Sequence, residues 1–261
     1  MSNQIKLHKQ YAQYLPLMKE LVSRDLKVKY RRSVLGYVWS LLNPLLMMTV
    51  MSIVFSYMFR FDIENFPLYL ICGQTLWTFF NESTNMAMYS VLQNSALLKK
   101  VYIPKYIFPI SRVFSSFVTL SFSLVAILLV MLFTGAKFSW WILLFPIPLF
   151  FLLIFSTGVS MVLSSLSVYF RDITHLYSVI TLAWMYLTPI FYPIEAVPPE
   201  VQMFIRFNPM YGYVTFFREL VLYAKVPEAG IVSLCVCSSA IAIVVGAYIF
   251  SKMQNDFILY L

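Results

Sequence analysis

Charge is what this chain has least of. Asp, Glu, Lys and Arg make up only 11% of its 261 residues, against roughly 25% in soluble domains, and mean hydropathy is +0.78. That balance excludes a soluble globular protein and indicates an all-α polytopic membrane protein. Catalytic vocabulary is equally thin. There are 2 His and 3 Cys, and Cys72, Cys235 and Cys237 lie in apolar stretches without His or acidic neighbours, so metal and redox roles are not expected and buried small hydrophobes are. Glu82 is the one acidic residue inside an apolar run, and no D-x-D, H-E-x-x-H or G-x-S-x-G occurs, which speaks against a membrane-embedded enzyme. None of the 7 Gly is followed by Lys, so the chain has no G-x-x-x-x-G-K-[ST] loop with which to bind ATP. Internal repeats and multiple intramembrane ionisable groups, the marks of ion-coupled transport, are missing too.

What is present is apolar length. A bilayer core about 30 Å thick needs roughly 20 apolar residues per crossing helix. Six runs qualify: about 36–59, 66–92, 108–133, 140–167, 174–193 and 229–250. Lys and Arg then set the orientation. One side receives Lys6, Lys9, Lys19, Arg24, Lys27, Lys29, Arg31, Arg32, Lys99, Lys100, Lys105, Arg112, Arg171 and Lys252. The other receives only Arg60, Lys137, Arg206, Arg218 and Lys225, so both termini are expected in the cytoplasm. The net charge of +8 is therefore a topology signal and an attraction to anionic lipid, with no nucleic acid implied. The first 36 residues show neither a short apolar core nor a cleavage site, so the first span is expected to act as an uncleaved signal.

The expected organisation is a 1–35 N-terminal segment, a 36–250 transmembrane domain and a 251–261 tail. On a helical wheel of 15–32, Leu15, Leu17, Met18, Leu21, Val22, Leu26 and Val28 share one half, and Lys19, Glu20, Ser23, Arg24, Lys27 and Arg31 the other. That pattern predicts an amphipathic helix in the membrane surface, although Asp25 and Lys29 interrupt its apolar half; a plain charged flank to the first span is the alternative. Ser33 and Gly36 offer a bend after it, and Pro44 a kink in the first span. In the second span Gln74, Thr78, Asn81 and Asn85 recur on one side beside Glu82, so protein or water, not lipid, faces them. Ser156, Ser160 and Ser164 form a small-residue packing stripe in the fourth. The stretch "NSALLKKVYIPKYIFPIS" (94–111) predicts a short interfacial helix and a rigid turn, suited to docking a cytoplasmic partner. The proline- and aromatic-rich 186–213 predicts short helices dipping into the outer leaflet. The 24 Phe, 18 Tyr and 5 Trp fit interfacial belts, or a surface on which sugar rings slide.

Four stretches in order, "RDLKVKYRRSVLGYVWSLLNP" (24–44), "LLKKVYIPKYIFPIS" (97–111), "VYFRDITHL" (168–176) and "TPIFYP" (188–193) with "NPMYGYVTFFR" (208–218), resemble the ABC-2 type permeases that export polysaccharides. The resemblance implies a homodimeric channel of six spans per subunit in the bacterial inner membrane, driven by two copies of a separate cytoplasmic ATPase that uses ATP and Mg. It also implies a cargo of O-antigen, capsule or teichoic-acid chains carried on a polyprenyl-diphosphate lipid. By the same resemblance, the segment Asn94–Tyr106 would contact the ATPase, chiefly through Leu97, Leu98, Lys99, Lys100, Val101, Tyr102 and Ile103, with Lys99 and Lys100 otherwise serving as membrane anchors. Arg171 and Asp172 would form a second contact or a structural pair. Arg24, Lys27, Lys29, Arg31 and Arg32 would gate the lipid headgroup, or bind ordinary anionic lipid. Trp77, Phe80, Asn81, Glu82, Trp184, Tyr186, Phe191 and Tyr192 would line the translocation path, and 190–222 would hold re-entrant helices at the outer mouth. The competing readings are an ABC-2 exporter of a drug or small lipid and a membrane-embedded glycan-modifying enzyme.

Overall fold

The computed structural model describes residues 14–31, 33–58 and 63–260, and every regular element among them is helical. In chain order these are α1 (Leu15–Tyr30), α2 (Trp39–Met58), α3 (Phe66–Met88), α4 (Ser90–Gln93), α5 (Ser95–Leu98) and α6 (Ile107–Thr134). They continue as α7 (Pro146–Tyr169), α8 (Ile173–Tyr186), α9 (Pro199–Arg206), α10 (Pro209–Val221), α11 (Ala229–Met253) and α12 (Phe257–Tyr260). Local chemistry sets the ends. Asn65, at φ 53°, caps α3 by accepting from the Leu68 N–H, with Pro67 in the first turn. Gly135, at φ 66°, ends α6 in the left-handed conformation that glycine adopts most readily. Gly36, at φ 50°, makes the expected bend before α2, and Pro44 lies inside that helix.

Helix α3 is the hub, packing on α2, α6, α7 and α10. Its Leu68, Ile71, Leu76 and Phe80 are buried with Val113 and Leu120 of α6, Leu152 and Phe155 of α7 and Phe217 of α10. The most extensive helix pair is α7 with α11. There a Cβ on Gly158 would lie 2.3 Å from the Ala242 carbonyl, and one on Gly246 2.3 Å from the Gly158 oxygen, so the two backbones touch. Ser156, Ser160 and Ser164 are fully buried as the stripe predicts, but the glycines set the approach.

Among the described residues, four helices are long and apolar enough to cross a membrane: Gly36–Phe55, Ile107–Thr134, Trp140–Tyr169 and Ala229–Tyr260. The expected second and fifth spans differ for separate reasons. Helix α3 has 23 residues but carries Gln74, Asn81, Glu82 and Asn85. Helix α8 ends after 14 residues, about 21 Å of rise and short of a bilayer core. The expected run to 193 instead continues as irregular backbone, because Pro189 disfavours the helical conformation for Thr188. That backbone is not loose, since Thr188, Pro189, Ile190 and Phe191 are all buried.

A second hydrophobic cluster defines one end of the bundle. Leu21 of α1, Val91 and Leu98 of the 90–98 segment, Ile107 and Phe108 at the start of α6, Val168 at the end of α7, Phe250 of α11 and Phe257 of α12 form it. This is the α1 end. At the opposite, far end lie the starts of α3, α7 and α11 together with 187–228.

Candidate functional site

At the α1 end, the two residues that interrupt the apolar half expected of the 15–32 wheel are the ones that tie α1 down. The Asp25 side chain is only 3% exposed and meets Arg112 of α6 at 2.9 Å and Arg24 at 3.3 Å, while the Ser115 hydroxyl donates to it at 3.3 Å. Arg24 also donates to Asn94 Oδ1 (3.3 Å), and Arg112 to Gln93 Oε1 (3.0 Å). Lys29 pairs with Glu82, the acidic residue of α3. Of the expected headgroup cations, all four described ones are exposed; Arg24 and Lys29 are ion-paired, whereas Lys27 and Arg31 have no ion pair among the described residues. Arg32 lies outside the described residues.

The segment after α5 projects from the same end. Leu97 and Ile103 are half-buried and Leu98 is buried, which anchors the two flanks of a turn whose Lys99, Lys100, Val101 and Tyr102 are exposed, Tyr102 to 93%. Lys105, one turn later, donates to the Gln254 carbonyl and sits 5.6 Å from the Phe257 ring. Burial pushes its pKa down, against the pull of Asp256. Arg171 and Asp172 are exposed on the α7–α8 turn, and no ion pair joins them.

The residues expected along a path divide. Trp77 (5% exposed) and Phe80 (0%) are enclosed in an aromatic core with Phe155, Trp184 and Tyr213, at centroid separations from 5.1 to 6.4 Å. Phe191 is buried and stacks on Phe55 at 5.5 Å. Asn81, Glu82, Trp184 and Tyr192 are partly exposed and Tyr186 is exposed; the Tyr192 hydroxyl donates to the Tyr186 carbonyl at 2.7 Å. Gln74, Thr75, Thr78 and Glu82 face Asn43, Ser116, Thr119 and Ser123 across a small cavity of about 50 Å³. Polar protein, not lipid, therefore lies against much of that face. The Gln74 Oε1 and Thr75 Oγ1 atoms have no protein partner there, which suits one or two bound waters.

The far end is organised around a residue that the sequence marks by its charge and by its place at the end of the 208–218 stretch, with no partner assigned. Arg218 of α10 is 3% exposed and has no carboxylate partner among the described residues; it donates four hydrogen bonds to three carbonyls, those of Tyr69 (3.1 and 2.9 Å), Pro189 (2.7 Å) and Ile190 (3.0 Å). Its guanidinium also lies 3.3 Å from the centroid of the Tyr69 ring. Gly73 leaves room for it, since a Cβ there would meet Arg218 Nη2 at 2.6 Å. The Tyr69 hydroxyl donates to the Pro189 and Tyr192 carbonyls. Asn208 completes the clasp by accepting from Trp184 Nε1 (2.8 Å) and the Met210 N–H (3.0 Å) while donating to the Thr188 hydroxyl (2.9 Å). The broken backbone after α8 is satisfied in this way, as buried polar groups require.

Beside the clasp, an open cavity of about 990 Å³ is lined by Glu195, Arg206, Tyr211, Glu219, Tyr223 and Glu228, among others. Burial, then the neighbouring Glu228 carboxylate, push the Glu219 carboxyl above its ordinary pKa. Among the described residues, no group of acidic, Cys and His side chains is placed to hold a metal.

The signals overlooked in the sequence were modest but real. An Asp on the apolar half of a surface helix calls for a buried cation, and an Arg within "TFFRELV" calls for acceptors.

The ABC-2 type transporter family profile matches residues 16–222. The chain is 30% identical to the O-antigen export system permease protein RfbA of Klebsiella pneumoniae over 92% of this chain and 93% of that protein. It is 29% identical to the O-antigen export system permease protein RfbA of Myxococcus xanthus over 97% and 98%. It is 22% identical to the capsule polysaccharide export inner-membrane protein CtrC of Neisseria meningitidis over 76% of each chain.

Proposed function

This chain belongs to the ABC-2 type transporter family, and from that membership we propose that it is the channel-forming subunit of an ATP-driven polysaccharide exporter. It is a transport permease and not an enzyme. The cargo is a cell-surface polysaccharide such as O-antigen, carried on a polyprenyl-diphosphate lipid, and the membrane is the bacterial inner membrane. The names of its relatives support the cargo class. The observation that carries the division of labour is the exposure of both the Lys99–Tyr102 turn and Arg171–Asp172, on a chain without a P-loop. It supports docking of a separate ATPase there, which uses ATP and Mg.

In this reading the α1 end is cytoplasmic and holds both termini, and the chain crosses the membrane six times. Helices α2, α3, α6, α7 and α11 make five crossings; α8 with the 187–193 backbone makes the sixth. Helices α9 and α10 are the re-entrant pair at the outer mouth. The exposed apolar faces of α2 and α8 supply contact for lipid and for a second copy of the chain in a homodimer. Asn81, Glu82, Trp184, Tyr186, Phe191 and Tyr192 border the path, with Trp77 and Phe80 packed behind them. Arg24, Lys27, Lys29, Arg31 and Arg32 stand where the diphosphate headgroup is admitted.

The test is reconstitution with the partner ATPase and replacement of 97–103 by a Gly/Ser linker. ATP-driven export is expected to be lost while the chain still assembles; undiminished export would remove the docking assignment.

A further inference from the structure

Two arginines from different helices converge on Asp25, and each also holds one of two adjacent residues in the segment before the exposed turn. Arg24, on α1, bridges Asp25 to Asn94; Arg112, on α6, bridges Asp25 to Gln93. The result is a closed ring, Asp25–Arg24–Asn94–Gln93–Arg112, with Ser115 donating to the second Asp25 oxygen. Asn94 is buried and is itself oriented by donation to the Ser90 carbonyl at 2.7 Å. Leu21 of α1 belongs to the same buried apolar cluster as Val91 and Leu98.

The placement gives the ring a task. Gln93 and Asn94 occupy the joint between α4 and α5, where Asn94 leaves helical geometry at φ -105° and ψ 16°. Charge-assisted bonds are strong and directional, and those to Asp25 run only to side chains, which follow their own helices. A displacement of 90–103 therefore pulls both arginines and, through Asp25, the cationic helix.

We propose that Asp25 is the positioning residue that transmits movement of the 90–103 segment to α1, and so sets the cationic helix open or closed in step with the ATPase. The inference rests on the reading of 97–103 as the ATPase contact.

The experiment uses the chain with its partner ATPase in nanodiscs and follows amide hydrogen exchange in 15–30 and 90–103 on adding ATP. Wild type is expected to change in both segments. Asp25→Asn is expected to change in 90–103 only, to retain ATP hydrolysis within about twofold, and to lose export by about tenfold, as a coupling free energy of this class allows. Should Asp25→Asn fail to assemble, the Gln93→Ala variant, outside the ATPase-contact segment, decides. It leaves the buried Asp25–Arg112 pair in place and is expected to give the same split between hydrolysis and export. If exchange in 15–30 responds to ATP as in wild type in these variants, the proposal is overturned while the docking reading stands. If 90–103 of the wild type does not respond to the ATPase, the docking reading falls and the joint with it.

Discussion

The molecule buries two charges of opposite sign at its two ends and satisfies them by different means. Arg218, at the far end, is held by backbone carbonyls and an aromatic face. Asp25, at the α1 end, is held by two guanidinium groups and a hydroxyl. Carbonyl acceptors are set by the fold and cannot be exchanged without unravelling it. Side-chain partners can swing away, and a competing anion can replace them. The Arg218 clasp is accordingly a fixture, whereas the Asp25 ring and the Lys29–Glu82 pair are joints. A channel whose outer mouth keeps its shape while its inner gate moves would be built in this way.

That contrast can be broken at its strongest point first. Arg218→Met is expected to cost roughly 4 kcal/mol or more, because it strands three carbonyls that each lose a charged donor. The thermal unfolding midpoint in detergent should fall steeply, and a variant as stable as wild type would remove the clasp from the account. Gly158→Ala comes next, at about 1–3 kcal/mol, since its Cβ has only the α11 backbone to displace; the same unfolding measurement reads it. Asp25→Asn should cost about 2 kcal/mol, less than Arg218→Met because Arg24 is part-exposed and recovers solvent. Lys29→Gln is the mildest for stability, under about 1 kcal/mol for a part-exposed pair. It should nevertheless raise the concentration of lipid-linked substrate needed for half-maximal ATP hydrolysis by about tenfold, if Lys29 passes from Glu82 to the headgroup. An unchanged concentration would leave Lys29 as a structural tie only.

Much of this architecture was legible in the sequence, for reasons that particular residues make plain. Apolar runs at bilayer length located α2, α6, α7 and α11 to within a few residues, and the wheel of 15–32 located α1. Asp25 and Lys29 were visible as breaks in that wheel; what they pair with was not, because Arg112 and Glu82 lie 87 and 53 residues away in the chain. The early end of α8 was written in Thr188–Pro189 but masked by the apolar run around it. Arg218 was opaque for a different reason, since its partners are backbone carbonyls, which carry no residue signature. The Gly158–Gly246 crossing was likewise invisible beside the more conspicuous serine stripe.

The most direct measurement is export itself. Proteoliposomes holding the chain and its partner ATPase, with lipid-linked O-polysaccharide in the leaflet facing the ATPase, should expose the polymer on the opposite side when ATP is added. They should not do so with a hydrolysis-deficient ATPase. Polymer that stays on its original side, or crosses without the ATPase, would contradict the account.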